Sequence, residues 1–290
     1  MPAFYEKEEL ARLQKIELNI LEDFKALCER HHLTYFGIAG TILGAVRHGG
    51  FIPWDDDIDI AMPRKDFERF IEFAEKELSD RYFLLNTEHD PEYPLHTTRL
   101  CLKGTSFIEE AFRDAKFHCG IFLDLYPYDN LADGPFAYKL QIWRTWFYSK
   151  ILILRTIEKP YIAQTGVAAK VILAVCKVCN MFLKGIKADP LKIYWKGQRI
   201  SRKYNKRKTK RIGFPSDTDP EWNTLYLREI YPLKKVKFEN TVIPIPRKYR
   251  VMLQHLYGDD YMTPPPEEKR KTHYPHLLEF PKEDLWKTNQ

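Results

Sequence analysis

Four carboxylates, Asp55, Asp56, Asp57 and Asp59, stand within five positions of a 290-residue chain, in the run PWDDDIDI. Two unit charges a few Å apart repel by roughly 1 kcal/mol in water and by about 4 kcal/mol near a protein surface. Crowding of this kind asks for a positive partner. A hard, oxygen-seeking divalent cation supplies it, Mg²⁺ first and Mn²⁺ as the alternative. Side chains alternate across a β-strand. With a strand over Ile58–Met62 and its approach, Asp57 and Asp59 share one face and can bridge one or two ions, whereas Asp56 points away and reads as structural. Asp55 has the parity of the pair but stands at the strand entrance, as an outer ligand or a general base. Ions held in this way neutralise phosphate oxygens and lower the pKa of an attacking hydroxyl.

A glycine turn precedes the acids. Gly40 permits close backbone approach, and Thr41 opens a short helix, about 41–47, whose free N–H groups attract anions. Gly44 and Arg47 on that helix complete the candidate phosphate contacts. Gly49-Gly50 and Pro53 end it. A phosphate donor set is thereby placed opposite the metal ligands.

The elements that must carry these groups follow from periodicity. Residues 6–31 form a helix, with Leu10, Leu13, Ile16, Ile20, Leu21, Phe24 and Leu27 at helical spacing. A β-type run over Leu33–Ala39 comes before the turn, and an amphipathic helix over Lys65–Leu78 comes after the acidic strand. Further strands are expected at Tyr82–Leu85, His96–Leu102, Ser106–Ile108 and Ile121–Leu125. The stretch 125–135 (YPYDNLADGP) reads as a loop and domain boundary. Residues 136–208 are largely helical, strands return around Val236–Ile245, and a helix lies at about 247–256. The alternation is a mixed α/β (α+β) pattern. Three segments are expected: a catalytic core at 1–135, a basic helical subdomain at 136–211, and a C-terminal segment at 212–290 that completes the catalytic domain.

At 44% hydrophobic and 14% aromatic, the chain can bury a core, which excludes wholesale disorder. The net charge is +6, yet twelve Lys/Arg lie between Lys184 and Arg211 against one acid, Asp189. Such a patch favours phosphates, acidic polymers or an anionic membrane surface. Lys170, Lys177 and Lys184 fall on nearly one face of an apolar helix over Val167–Lys184, a pattern able to lie in a membrane interface. No 18-residue apolar stretch is free of charge, so no spanning helix is expected. Five cysteines do not form a disulfide framework, and Cys176-Lys-Val-Cys179 reads as two small helix residues. The N-terminus lacks the pattern of a signal peptide. A cytoplasmic location is the expectation, peripheral at the inner membrane face if the basic helix binds there.

The glycine–Thr turn followed by an Asp-x-Asp strand resembles the nucleotidyltransferase fold, in which a later strand gives a third carboxylate. Asp124, the acid inside the apolar run GIFLDLYPYD, is the best candidate, and Asp129 is second. The longer run GTILGAVRHGGFIPWDDDIDIAMPRKDFERF resembles the signature of the LicD family, phosphocholine transferases of bacterial surface glycans, related to the fukutin-type ribitol-phosphate transferases. TRLCLKGTSF, FLDLYPYD and the closing YGDDYMTPPPEEKR with His273 are similar too.

The resemblance implies transfer of a phospho-alcohol from a CDP-linked donor such as CDP-choline to a glycan or teichoic acid hydroxyl, on a lipid-linked precursor, with release of CMP. It implies Asp57, Asp59 and Asp124 as metal ligands, Asp55 as the group that accepts the acceptor's proton, Arg99 and Lys103 at the pyrophosphate, and Arg270 and His273 near substrate. A quaternary ammonium calls for aromatic faces, for which Trp54, Tyr126 and Tyr128 are placed by sequence. His96 and His118 read as structural. No nucleic-acid partner is expected. Three alternatives stay open: nucleotidyl transfer from an NTP, glycosyl transfer on a Mn²⁺-bound Asp-x-Asp, and a non-catalytic basic protein that binds membrane or nucleic acid.

Overall fold

The structure is a computed structural model and describes residues 5–160, 162, 166–270, 272 and 274–282. In chain order it runs α1 (Lys7–Arg30), β1 (Phe36–Gly37), α2 (Ala39–Arg47), β2 (Asp59–Pro63), α3 (Arg64–Glu77), β3 (Tyr82–Leu85), β4 (Thr98–Leu102), β5 (Ser106–Glu109) and β6 (Phe122–Leu131). Three helices follow, α4 (Pro135–Thr156), α5 (Gly166–Gly185) and α6 (Pro190–Ser201). The chain then forms β7 (Arg211–Gly213), β8 (Thr224–Tyr226), the single turn α7 (Leu227–Ile230), the hairpin β9 (Lys234–Phe238) and β10 (Thr241–Ile245), α8 (Tyr249–Tyr257) and β11 (Pro275–Glu279).

The main sheet has the order β1-β2-β6-β4-β3, with β7 joined to the far half of β6 and β8 beside β7. β2 and β6 are parallel, and the other pairs are antiparallel. This is the mixed α/β fold that the sequence pattern implies. α1 packs Leu13, Ile16, Ile20, Leu21 and Phe24 into the core, the residues that recur at helical spacing.

Several local expectations change. β2 starts at Asp59, so Asp57 lies in the approach loop and not on the strand. The expected loop at 125–135 is instead the second half of β6. Pro127 sits where the strand changes partner on one side, between the last β4 pair, Thr98 with Leu125, and the first β7 pair, Asp129 with Gly213. A proline without an N–H is tolerated at such an interruption. β7, β8 and β11 are too short to give a periodic signal. They exist because β6 and β5 offer open edges.

Asp129, the second candidate for a third carboxylate, is a structural hub. Arg64 Nε and Nη2 donate to its two oxygens at 2.8 Å each, Asn205 Nδ2 donates at 2.6 Å, and Ser201 Oγ also donates. This buried bidentate pair, in which Arg64 Nη1 alone is left without a hydrogen bond, ties β6 to α3 and α6. His96 is likewise structural, buried against Gln198 and stacked on Tyr194.

α5 corrects a further expectation. Its lysines are spread widely enough that, by length and composition, it is apolar enough to cross a membrane, and almost none of it is buried. Val167, Val171, Val175, Val178, Met181 and Phe182 are all exposed.

Candidate active site

Asp59 on β2 and Asp124 on β6 are register partners across the parallel pair, and Arg99 on β4 is the partner of Asp124 on its other side. Side-by-side residues in a sheet project from the same face. The row Asp59–Asp124–Arg99 therefore lies across three adjacent strands. Arg99 is buried. Its Nη2 donates to Glu109 at 2.8 Å, its Nε reaches Asp124 Oδ2 at 3.4 Å, and its guanidinium lies 3.8 Å over the Phe122 ring. The expected pyrophosphate contact is thus corrected: Arg99 is occupied in holding Asp124. Lys103 lies four residues further along, roughly 13 Å on from the row, where its Nζ donates to Ser79 O.

Asp124 Oδ1 is buried with no hydrogen-bond partner. Burial raises the Asp124 pKa, with Arg99 pulling the other way. An orphaned buried carboxylate oxygen is costly unless something positive meets it. A divalent cation fits that position.

The approach loop adds a tighter group. Asp55, Asp56 and Asp57 bring carboxylate oxygens within 4.8 Å of one another. Asp56 is buried and accepts from Tyr5 Oη at 2.5 Å; because the loop is not strand, it converges with its two neighbours instead of pointing away from them. Gln14 Nε2 on α1 donates to Asp55 O at 2.9 Å.

One residue escaped the sequence reading. Glu17 on α1 is fully buried, and neither carboxylate oxygen has a hydrogen bond. Its pKa is driven well above the ordinary carboxylate range by burial first, then by Asp57, Asp56, Asp55 and Asp59. A fifth acid thus faces the loop. The signal was present: Glu17 is the charged residue on the apolar face of α1, between Ile16 and Ile20.

Gly40 lies within the first turn of α2 instead of in a turn before it, and it meets the acids directly. A Cβ on Gly40 would lie 2.8 Å from Asp55 Oδ2. Ala39, at φ 45°, holds the left-handed conformation at the start of α2. Thr41 is buried, and its Oγ1 accepts from Asp59 N at 2.8 Å, so it pins the first residue of β2. Gly44 has a steric reason instead of a phosphate one, since a Cβ there would stand 2.4 Å from Gly50 O.

Trp54 is corrected as a choline contact. The Arg270 guanidinium lies 4.2 Å from its ring centroid and that of Arg47 lies 5.8 Å away. Arg47 Nη1 also donates to Tyr261 O. Two guanidinium groups at one indole make a locale for phosphate and repel an ammonium. Tyr128 is fully buried and donates to Asn223 Oδ1 at 3.0 Å, which makes it a core residue. Tyr126 is partly buried and lines a cavity beside the row. His273 lies outside the described residues.

Comparison with known proteins agrees with this geometry. Residues 32–150 match the family model for the LicD/FKTN/FKRP nucleotidyltransferase domain, which spans the acidic loop, β2 and β6. The chain is 28% identical over 269 residues to the lipopolysaccharide cholinephosphotransferase LicD of Haemophilus influenzae, covering 91% of this chain and 96% of that protein. It is 43% identical over 47 residues to uncharacterized proteins of Rickettsia prowazekii and Rickettsia typhi, over 18% and 15% of their lengths. The acid row, the glycine at the start of α2 and the matched domain fall on the same residues, so residues 32–150 are similar to the LicD/FKTN/FKRP nucleotidyltransferase domain and the chain as a whole is similar to LicD.

Proposed function

We propose that this protein transfers phosphocholine, or a closely related phospho-alcohol, from a CDP-linked donor to a hydroxyl of a cell-surface glycan, releasing CMP. The observation that carries the reading is the pairing of Asp59 with Asp124, one oxygen of which is orphaned, beside the N-terminus of α2. The likeness to a cholinephosphotransferase along nearly the whole chain supports the same chemistry.

Asp57, Asp59 and Asp124 would hold Mg²⁺, which when bound neutralises the diphosphate oxygens. The chain's own residues do the rest. The N–H groups at the start of α2 face the phosphates, and Arg47 adds positive charge from the end of that helix. Arg99 and Glu109 fix the orientation of Asp124. Asp55 accepts the proton of the acceptor hydroxyl. The hydroxyl oxygen forms a bond to the choline-bearing phosphorus, the bond from that phosphorus to the bridging oxygen breaks, and the bridging oxygen leaves with CMP. Positioning and charge neutralisation are the main contributions of the protein.

CMP release measured with CDP-choline, a crude lipid-linked glycan acceptor and Mg²⁺ tests the reading. Pyrophosphate release from CTP in place of CMP release from CDP-choline would refute it in favour of nucleotidyl transfer.

The acceptor is proposed to be lipid-linked and reached at an anionic membrane surface. The exposed apolar side of α5 and the exposed Phe136, Trp143 and Phe147 of α4 adjoin the basic run Lys184–Arg211. That combination suits partial burial in a headgroup layer. Co-sedimentation with phosphatidylglycerol vesicles at low salt, lost with neutral phosphatidylcholine vesicles, is the expected result. Equal recovery in the supernatant with both would overturn it.

A further inference from the structure

Resting on the phosphocholine reading, the geometry points to one pocket for the quaternary ammonium: the cavity walled by Tyr126, Trp222 and Tyr257 with Asp217 as its charge. Ile38, Ala39 and Leu256 complete its apolar lining. Trp222 and Tyr257 are substantially exposed, so aromatic surface is open to a ligand. Of the residues that line it, Asp217 is the charged one. Aromatic faces with one carboxylate are what a trimethylammonium group requires, since it carries charge and no hydrogen-bond donor.

The placement fits the donor. Tyr126 follows Asp124 by two residues on β6, so it projects from the same face about 7 Å along the strand, and its register partner on β2 is Ala61, a small residue. In phosphocholine a two-carbon linker joins phosphate to ammonium, so the two binding centres must lie one pleat apart or less. Tyr257 lies close enough to the acids that Asp59, Asp55 and Asp57 all raise its pKa, after burial. The cavity is about 190 Å³, below the ~300–1,000 Å³ of pockets that take a whole drug-sized ligand. It suits a headgroup.

Two polar side chains of the wall, Asn223 and Asp217, are already hydrogen-bonded. Tyr128 Oη donates to Asn223 Oδ1, Asn223 Nδ2 donates to Asp217 Oδ2, and Thr218 N donates to Asp217 Oδ1. Both Asp217 oxygens are thereby engaged, which favours choline, held by charge and aromatic faces, over a primary ammonium that needs carboxylate hydrogen bonds. Tyr126 falls between the β4 and β7 partners of β6, where Phe214 packs edge-on against its ring at 5.2 Å between centroids and helps to fix its orientation. The larger cleft of about 570 Å³ on the other side of Trp222 is lined by Lys139, Arg211 and Lys248 as well as by acids, and its cations disfavour an ammonium. Trp54 is taken by two arginines.

Isothermal titration of the full chain with CDP-choline, CDP-glycerol and CMP, in Mg²⁺, tests the assignment. The wild type should bind CDP-choline about 10-fold tighter than CDP-glycerol. Trp222→Leu and Asp217→Asn should each weaken CDP-choline by about 5- to 30-fold and leave CMP within about twofold. If Trp222→Leu lowers the melting temperature, Trp222→Phe keeps an aromatic face and should retain most of the affinity. Equal weakening of CMP and CDP-choline, no weakening of either, or equal wild-type affinity for CDP-choline and CDP-glycerol overturns the pocket. If CDP-choline is still turned over in those cases, phosphocholine transfer stands and the pocket alone falls. If the wild type binds no cytidine nucleotide, the transfer reading fails first.

Discussion

Asp59 and Asp124 face each other as register partners on the two parallel strands at the centre of the sheet, and Arg99 on the neighbouring strand β4, itself held by Glu109 of β5, reaches the second of them. The arrangement leaves one buried Asp124 oxygen unpartnered. Substituting Asp59→Asn or Asp124→Asn should therefore lower CMP release by about 10²- to 10³-fold, the scale for losing one preorganised electrostatic group. Circular dichroism should show the fold retained. Turnover near wild type in either variant would remove these acids from the mechanism.

The two glycines of α2 separate function from packing. Gly40→Ala should displace the Asp55 carboxylate that its Cβ would meet at 2.8 Å, costing turnover with little change in stability. Gly44→Ala meets a backbone oxygen at 2.4 Å and should destabilise by about 1–3 kcal/mol. Thermal melting beside an activity assay distinguishes the two, and identical behaviour of the pair would contradict the placement of Asp55.

Arg64 and Asp129 form a bidentate buried pair. Removing one partner strands the other charge, so Asp129→Asn and Arg64→Met should each cost about 3–5 kcal/mol in urea unfolding. A cost under about 1 kcal/mol would mean that the pair is solvated.

Burial lowers the His96 pKa from 6.5 to about 3, with the Arg64 charge next in effect. Below pH 6.5 the unfolded chain takes up this proton and the native one does not. The stability from neutral His96 is thus full above pH 6.5 and lost as pH falls towards 3, by about 2 kcal/mol at pH 5. Unfolding free energies of wild type and His96→Gln should converge along that descent. Parallel curves would show that His96 titrates normally.

Glu17 has the opposite sign. Its folded-state pKa is raised well above 4.5 by burial and by the Asp57 charge, so its favourable contribution is full below pH 4.5 and is lost as pH rises. At pH 8 in EDTA, Glu17→Gln should be more stable than wild type by more than about 1 kcal/mol. Melting curves with equal midpoints would mean that a cation is already paired with Glu17 there.

The residues that act as neighbours along the chain were readable from the sequence. The periodicity of α1 and α3, the helix after Gly40, the acid run and the order of the elements all follow from spacings of two to four residues, which local geometry dictates. The length of β6 was not readable, because Pro127 and the polar residues of YPYDNL are tolerated only through partners far away: Arg64, Asn205 and the late strand β7.

Which acid lies beside Asp59, what Arg99 touches, and that Glu17 turns inward against the Asp loop were decided by the tertiary structure alone. Strand register across a long crossover, and the face that a helix presents to it, depend on the whole core packing at once. The chain by itself therefore specified a crowded, cation-seeking acid loop after a glycine turn. The fold set Asp124, the first of its two candidates, beside Asp59, and of the three candidate aromatics it left Tyr126 on a cavity while Trp54 meets two arginines and Tyr128 lies in the core.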